Sequence, residues 1–400
     1  MARSRGGAGC LLAVLVIILA TGAFVSYKFK LLWWKTAAVP PPSGKELQIH
    51  VLDVGQGDSI LIISPENKVM LVDAGDEKNG QTVLDALKRY GVQQIDYFVA
   101  SNTHPDHIGG ASFVFNNFKV ANVLWNDFPP PEAVSDQTAN KNSNQKQGKT
   151  QAKNQPKPQP KPATQHGKVV KFPTVEAFDN FKSAVDGSGA QLKKAEPDQK
   201  VDLGGGAVIT VLAPVPPPFT REQMISSRSG NESNANSVVM RLDYGDFSML
   251  LTGDAESQTE DRLVGRESNL YVNVLKVAHH GSKYATSDNF LKHVFRKDDT
   301  QPKAAIISLS EFNRYGHPNQ DVLNRLKAAG ITQLYRTDLQ GEITITTTGK
   351  VKDGHLFEIK AAKEAKTDLW TGREGTKDDS SRSGFITYGD YEPARRQKKK

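Results

Sequence analysis

Short apolar runs separated by turn-forming residues divide most of the chain after Leu47. The first three are LQIHVLDVG, DSILIIS and KVMLVDAG, and IDYFVAS and VANVLW follow them. Later runs of the same kind are AVITVLAP, SVVMRLDYGDFSMLLTGD, YVNVLKVAHH, AAIISLS and QLYRTDLQGEITITTTG. Runs of this length, rich in β-branched residues and closed by Gly, Asn or Pro, predict β-strands.

Segments with helical periodicity lie between these strands. In QTVLDALKRYG the apolar residues fall on one face, and Gly91 is placed to end the helix. ASFVFNNF, Thr174–Val185 and QDVLNRLKAAG predict three more helices. Two β-rich halves, each containing helices, indicate a two-layer β core with helices outside.

The N-terminus has a different pattern, because Cys10–Val25 is almost wholly apolar after Arg3 and Arg5. About 20 such residues in a helix span the ~30 Å core of a bilayer. We therefore predict a signal anchor or transmembrane helix at 1–27 and a linker at 28–46. The bulk of the chain would be extracytoplasmic, or secreted if the signal is cleaved. A buried core helix is the alternative, but it should show polar positions that this run lacks.

Composition changes abruptly at 128–168, a segment rich in lysine, proline and glutamine. Between Asn140 and Lys168 there are seven lysines and no acid, which equals the whole net charge of +7. The remainder is therefore close to neutral, and composition alone does not indicate a nucleic-acid-binding domain. We predict that the segment is a disordered insert, either an inert loop or a tether for a polyanion. The charged tail at 361–400 is also predicted to be disordered.

Residues that can bind metal recur where predicted strands end. A charge at the end of a buried strand is costly unless it is paired, and metal coordination removes that cost. Histidine nitrogens and carboxylate oxygens suit zinc, manganese or iron. Each group alone is a weak signal, but the set indicates a metal site. The set comprises Asp73, then Asn102, His104, Asp106 and His107, then Asp254, and finally His279 and His280.

The motifs that contain these residues resemble a known family. LDVGQGD, VMLVDAG, SNTHPDHIGG, LLTGDAE, LKVAHHGS and YGHP are similar to motifs of the metallo-β-lactamase superfamily. Within it, they resemble the hydrolase domain of the competence protein ComEC. The resemblance covers Leu47–Gly349 apart from the insert. It implies an αββα sandwich for a domain at 47–360, and metal-dependent hydrolysis of a phosphodiester such as DNA.

The resemblance also assigns roles to residues. The H-x-H-x-D-H motif of the superfamily falls on Asn102, His104, Asp106 and His107. The bridging aspartate falls on Asp254 and the last histidine on His279, with His280 as second choice. Asp73 would orient the ligand loop.

Two positions depart from the superfamily pattern. Asn102 replaces the first histidine, and an amide oxygen is a poorer zinc donor than imidazole. A second histidine is missing before Asp254, and Asn236 would take its place. Asp106, His107, Asp254 and His279 then complete one site, while the other keeps His104 and the shared Asp254. One or two divalent ions, zinc or manganese, are expected.

Other residues of the same motifs are candidates for contact with substrate. Asp106 and His317 are expected to be catalytic, although His317 also suits a plain turn before Pro318. The expected substrate-binding residues are Lys276, Ser282 and Asn313.

Three functions remain open from the sequence. The first is a membrane-anchored, metal-dependent phosphodiesterase or nuclease linked to DNA uptake or degradation. The second is a phosphoester or wall-polymer esterase on the same fold. The third is a surface protein without catalytic activity that binds polyanions through its lysine-rich segments.

Overall fold

The computed structural model describes residues 46–130, 164–165, 168–169, 173–220, 223, 234–295 and 303–373. The predicted signal anchor, all but the last residue of the predicted linker, residues 131–163 of the lysine-rich segment and the chain beyond residue 373 lie outside the described residues. Among the described residues, no helix combines the length and the apolar character that crossing a membrane requires.

The described strands and helices follow the predicted order closely. The strands are β1 (Leu47–Val51), β2 (Ile60–Ile63), β3 (Val69–Val72), β4 (Gln94–Ala100), β5 (Lys119–Trp125), β6 (Thr164–Gln165), β7 (Lys168–Val169), β8 (Gln191–Lys194), β9 (Lys200–Asp202), β10 (Ala207–Ala213), β11 (Val239–Tyr244), β12 (Phe247–Leu251), β13 (Val274–Lys276), β14 (Ala304–Ile307), β15 (Gln333–Arg336), β16 (Ile343–Thr347) and β17 (Glu358–Ala361). The helices are α1 (Gly80–Arg89), α2 (Pro105–Ile108), α3 (Ala111–Asn117), α4 (Pro173–Ser188), α5 (Ser257–Gly265), α6 (Asp288–Val294), α7 (Gln320–Ala328) and α8 (Thr337–Gln340).

Two mixed sheets form the centre of the molecule. The first has the strand order β17-β16-β1-β2-β3-β4-β5-β8 and the second β15-β14-β13-β12-β11-β10-β9. Strands β6 and β7, in the segment predicted to be a disordered insert, pair with each other as a separate two-stranded sheet. The first half of the chain supplies most of the first sheet, and β16 and β17 return from the far end to complete it.

Three apolar clusters show how the layers pack. One lies between the sheets and includes Ile49, Met70, Met249 and Ile306. The second joins the outer face of the first sheet to α1, α3 and α4, and the third joins the second sheet to α5, α6 and α7. Each sheet is thus covered on both faces, which explains why strands such as β2, ILII, are apolar throughout. The four layers confirm the αββα sandwich.

The folded region continues past residue 360, where the charged tail was predicted to begin. Arg336 is only 1% exposed, and its Nη1 donates to the carbonyls of Leu369 at 3.0 Å and Thr371 at 2.7 Å. Trp370 packs against the apolar cluster of the second sheet. A buried guanidinium needs such acceptors, so this stretch belongs to the fold despite its polar composition.

We expect truncation after Ala361 to destabilise the protein by about 1–3 kcal/mol, because the donors of Arg336 would lose their acceptors. Urea denaturation of the full chain, of this truncation and of a truncation after Arg373 would measure the effect. Equal stability of the two truncations would show that the stretch contributes nothing.

Candidate metal centre

Five strands of the two sheets end at one edge of the sandwich. Strands β3 and β4 run parallel in the first sheet, and β12, β13 and β14 run parallel in the second. The amide of Val238 donates to the carbonyl of Ser101 at 2.7 Å and joins the sheets there. Parallel strands present functional residues at their carboxyl ends. Asp73, Ser101, Asp254, His279, His280 and Ser308 all follow these strands within a few residues.

Asp73 holds the loop that follows β4. Its two carboxylate oxygens accept from the amide of Ser101 at 2.8 Å and from the Ser101 hydroxyl at 2.6 Å. One of these oxygens also lies 2.8 Å from Nδ1 of His107. Asp73 is fully buried and therefore positions the ring of His107 without reaching solvent. The orienting role expected for Asp73 agrees with this geometry.

Four side chains converge beyond this pair. His107 Nε2 lies 3.1 Å from Oδ2 of Asp254. His280 Nε2 lies 3.4 Å from Oδ2 of Asp106 and 3.5 Å from Oδ1 of Asp254. The side chains of His107, His280 and Asp254 are at most 2% exposed, whereas that of Asp106 is 18% exposed. The cluster is therefore buried and reaches solvent beside Asp106.

Charge pairing sets the protonation of this cluster. Burial alone would lower the pKa of His107, but the carboxylates of Asp254 and Asp73 outweigh it and hold that pKa well above its ordinary value. Burial likewise opposes the shift at Asp106, where the adjacent imidazole of His280 and the charge of His107 hold the pKa below its usual range. A cation bound at the cluster would displace the proton on His107 Nε2, as metal ligation by histidine requires.

His279 and His280 take different places although they are adjacent. Both have left-handed backbone angles, with φ of 47° and 53°. His280 Nδ1 lies 2.8 Å from the carbonyl of Ser308, which leaves Nε2 facing the carboxylates. His279 lies 3.9 Å from Asp254, and its Nδ1 is 3.2 Å from Glu256. The geometry thus places His280, the second choice of the sequence interpretation, closer to the carboxylates than His279, the first choice.

Of the residues expected at the second metal site, His104 lies near the cluster, whereas the side chains of Asn102 and Asn236 bond to the backbone of loops. His104 is buried near Asp106 and Asp254, and burial lowers its pKa to about 4. The Oδ1 of Asn102 accepts from the amide of His104 at 2.8 Å, so this oxygen holds the loop. The side chain of Asn236 bonds to both the amide and the carbonyl of Phe219 and holds a different loop.

Among the expected substrate contacts, Lys276 is fully buried. Its Nζ lies 2.9 Å from both carboxylate oxygens of Asp58. The carboxylate of Asp58 in turn lies 3.7 Å from His280 Nδ1. Lys276 therefore balances a buried charge behind the cluster and does not face solvent. Ser282 is also buried, and its hydroxyl accepts from the amide of Tyr284 at 3.4 Å.

Asn313 and His317 belong to the loop 310–317, which follows β14. Asn313 bonds to the backbone of Ser310 and of His317 and so holds the loop closed. The ring of His317 lies 5.5 Å from that of His279 and 6.5 Å from that of His280, centroid to centroid. Burial lowers the pKa of His317 well below its usual value, which keeps the ring neutral.

Three residues of the site have no role in the sequence interpretation: Asp58, Glu256 and Asn234. Nδ2 of Asn234 lies 3.3 Å from both Glu256 and His279. Asp58 and Glu256 belong to the motifs LDVGQGD and TGDAE, so the sequence contained a signal that they are part of the site. A charged residue beside a run destined for the core needs a buried partner.

The donor set fits a divalent metal ion. Ligand atoms of Asp106, His107 and His280 lie within 4.8 Å of one another, as do those of Asp58, Asp254 and His280. Within the described part of the chain, several buried atoms of the cluster have no hydrogen-bond partner. These atoms are Oδ1 of Asp106, Nε2 of His107, Oδ1 of Asp254 and Nε2 of His280. Unpartnered buried polar atoms are costly, and shared ligation of a cation would satisfy them together.

Gly57 packs the LDVGQGD loop against the ligand loop. It has φ of 126°, and a Cβ there would lie 2.1 Å from the carbonyl oxygen of Asp106. We expect Gly57→Ala to cost about 1–3 kcal/mol of stability more than Gly91→Ala and to weaken metal binding. Gly91 is the matched control because it also has positive φ but nothing lies within 4 Å of its Cβ position. Denaturation and metal titration of both variants measure this, and equal effects would refute it.

Comparison with known proteins agrees with this geometry. The model of the metallo-beta-lactamase superfamily matches residues 52–124. ComE operon protein 3 of Bacillus subtilis (strain 168) is 28% identical over 321 residues, which are 76% of this chain and 33% of that protein. Competence protein ComA of Neisseria gonorrhoeae is 40% identical over 119 residues, 30% of this chain and 16% of that protein. This chain thus spans a third or less of the length of these relatives. It contains a metallo-beta-lactamase fold domain that resembles part of the competence proteins.

Proposed function

We propose that this protein is a metal-dependent phosphodiesterase that cleaves DNA. The observation that supports this most is the convergence of Asp106, His107, Asp254 and His280 on one buried cluster. When bound, a divalent ion supplies Lewis-acid polarisation of a phosphoryl oxygen and activation of water. The mixed nitrogen and oxygen donors suit zinc or manganese, as one ion or two.

The residues of the chain would divide the remaining work. His107 and His280 are fixed by Asp73 and by the Ser308 carbonyl, so their Nε2 atoms already face the cluster. Asp106 is the most exposed member of the cluster and would meet the substrate first. Because the ring of His317 is neutral, it would act as a base that accepts a proton from the attacking water.

DNA is proposed as the substrate because of the relatives. One of them is named as a competence protein, another is a ComE operon protein, and a third, Recombination protein 2 of Haemophilus influenzae, is 40% identical over 96 residues. The proposed location is outside the cytoplasm, anchored by residues 1–27, and the apolar run there supports it. Protease accessibility in intact cells would test the location.

The test of function uses the full chain, depleted of metal by EDTA and then supplied with Mn²⁺ or Zn²⁺. Substrates are single- and double-stranded DNA and bis-nitrophenyl phosphate. We expect metal-dependent cleavage that Asp254→Asn abolishes. Asp246→Asn is the control, because its carboxylate is 60% exposed in a turn. Cleavage of bis-nitrophenyl phosphate but not of DNA would favour the phosphoester or wall-polymer esterase. No metal-dependent cleavage of any substrate would refute the proposal.

A further inference from the structure

The loop 310–317 carries an aromatic side chain that nothing in the described structure covers. Phe312 is 89% exposed, compared with 57% for Val351 and 37% for Leu192, the other exposed large apolar residues of the described chain. Single exposed apolar residues are ordinary on protein surfaces. Exposure alone therefore does not identify Phe312 as part of a binding site.

The first observation is that the loop is held in shape by its own polar contacts. Asn313 Nδ2 donates to the carbonyls of Ser310 at 3.0 Å and His317 at 2.7 Å, and its Oδ1 accepts from the His317 amide at 2.9 Å. The amide of Phe312 donates to the Ser310 hydroxyl at 3.2 Å. The ring is thus displayed on an ordered loop, which lowers the entropy cost of binding a ligand.

The second observation is that the loop borders the metal centre. The ring of Tyr315 lies 5.6 Å from that of His317, which in turn lies 5.5 Å from His279. Burial and the nearby charge of Asp106 raise the pKa of Tyr315. Phe312 is five residues from His317, so even a fully extended chain would separate their backbones by no more than about 18 Å.

The third observation is a cation beside the aromatic residues. The guanidinium of Arg314 lies 5.4 Å from the centre of the Tyr315 ring. Aromatic rings combined with arginine are the usual means by which proteins hold unpaired bases, since every base has a face that can stack. A polyol phosphate has no such face, so this loop favours a nucleic acid over a wall polymer.

We propose that Phe312 forms a stacking subsite for an unpaired nucleobase next to the scissile phosphodiester, with Arg314 beside the backbone phosphate. This inference rests on the proposed function and specifies its substrate as single-stranded nucleic acid. It assigns Phe312 a role in specificity and none in the chemical step.

The test compares Phe312→Ala, Phe312→Trp and Val351→Ala in the full chain. Binding of a fluorescent single-stranded oligonucleotide is measured by anisotropy in EDTA, without turnover. Cleavage is then measured with manganese on the same oligonucleotide and on an abasic one of equal length. Stacking is worth about 1–3 kcal/mol per base. We therefore expect Phe312→Ala to raise Kd, and the ratio of KM for the base-bearing to the abasic oligonucleotide, by about 5- to 150-fold.

Phe312→Trp should restore both values, and Val351→Ala should change neither. Cleavage of DNA with the KM ratio unchanged in Phe312→Ala would overturn the stacking site and leave the proposed function intact. Binding that depends on Phe312, with no cleavage of any substrate, would support the stacking site and refute the proposed function. A Phe312 effect on a glycerol-phosphate polymer, with none on the oligonucleotide, would also overturn the nucleobase assignment.

Discussion

Substitution of His280 by asparagine is expected to lower the affinity for Mn²⁺ or Zn²⁺ by more than about 100-fold and to abolish hydrolysis. Its Nε2 lies 3.4 Å from Oδ2 of Asp106 and 3.5 Å from Oδ1 of Asp254, so it contacts both carboxylates of the cluster. Loss of a group that only orients a ligand costs about 10- to 100-fold, and loss of a ligand itself should cost more. Asparagine is chosen because it tolerates the left-handed backbone that His280 adopts.

His279→Asn is the matched control, since the two residues are adjacent and share this backbone conformation. His279 bonds to Glu256 and lies farther from Asp254, so we expect a loss of affinity within the range of an orienting residue. Metal titration of both variants by calorimetry would rank them. The opposite ranking would restore His279 as the ligand and contradict the geometry described above.

Lys276→Met is expected to destabilise the fold by about 3–5 kcal/mol, because it leaves the carboxylate of Asp58 buried without its partner. The side chains of Lys276 and Asp58 are 0% and 2% exposed. Methionine keeps much of the volume of the lysine stem, so the loss reports on charge and hydrogen bonding more than on packing. Chemical denaturation with EDTA present would measure it without a contribution from metal.

The double variant Lys276→Met, Asp58→Asn should recover part of this loss, because the unpaired charge is gone. The exposed pair of Lys350 and Asp246 provides the comparison, with side chains 72% and 60% exposed. Lys350→Met should change stability by no more than about 1 kcal/mol. If the two lysine variants lost the same stability, the buried ion pair would contribute no more to stability than the exposed pair.

Much of the fold could be predicted because strands buried on both faces are recognisable as apolar runs in the sequence. A strand covered on both faces, such as β2, is a continuous apolar run, and the run DSILIIS predicted this strand. Strand β8 was missed because all four of its residues are exposed and QLKK has no alternation. It forms only because the backbone of β5 offers a parallel edge, and that pairing leaves no side-chain pattern.

Part of the candidate site could also be predicted, because charged residues at the ends of buried strands are visible in the sequence. Strand ends located Asp254 and the histidine pair, but not which histidine faces the carboxylates. Alternation along β13 cannot decide this, since both histidines lie in a turn with positive φ that breaks the period of two. The sequence could not show that Lys276, an expected substrate contact, is buried against Asp58, because the two residues are 218 positions apart in the chain.

The position of the cluster between the two sheets links metal binding to folding. His107 comes from the first sheet, whereas Asp254 and His280 come from the second. These candidate ligands therefore meet only after distant parts of the chain have docked, a step that is slow in proteins with many non-local contacts. An ion that binds the folded form alone adds about 4 kcal/mol to the free energy of unfolding at a thousandfold excess over its Kd. The melting temperature of the sandwich would thus follow the supply of metal around it.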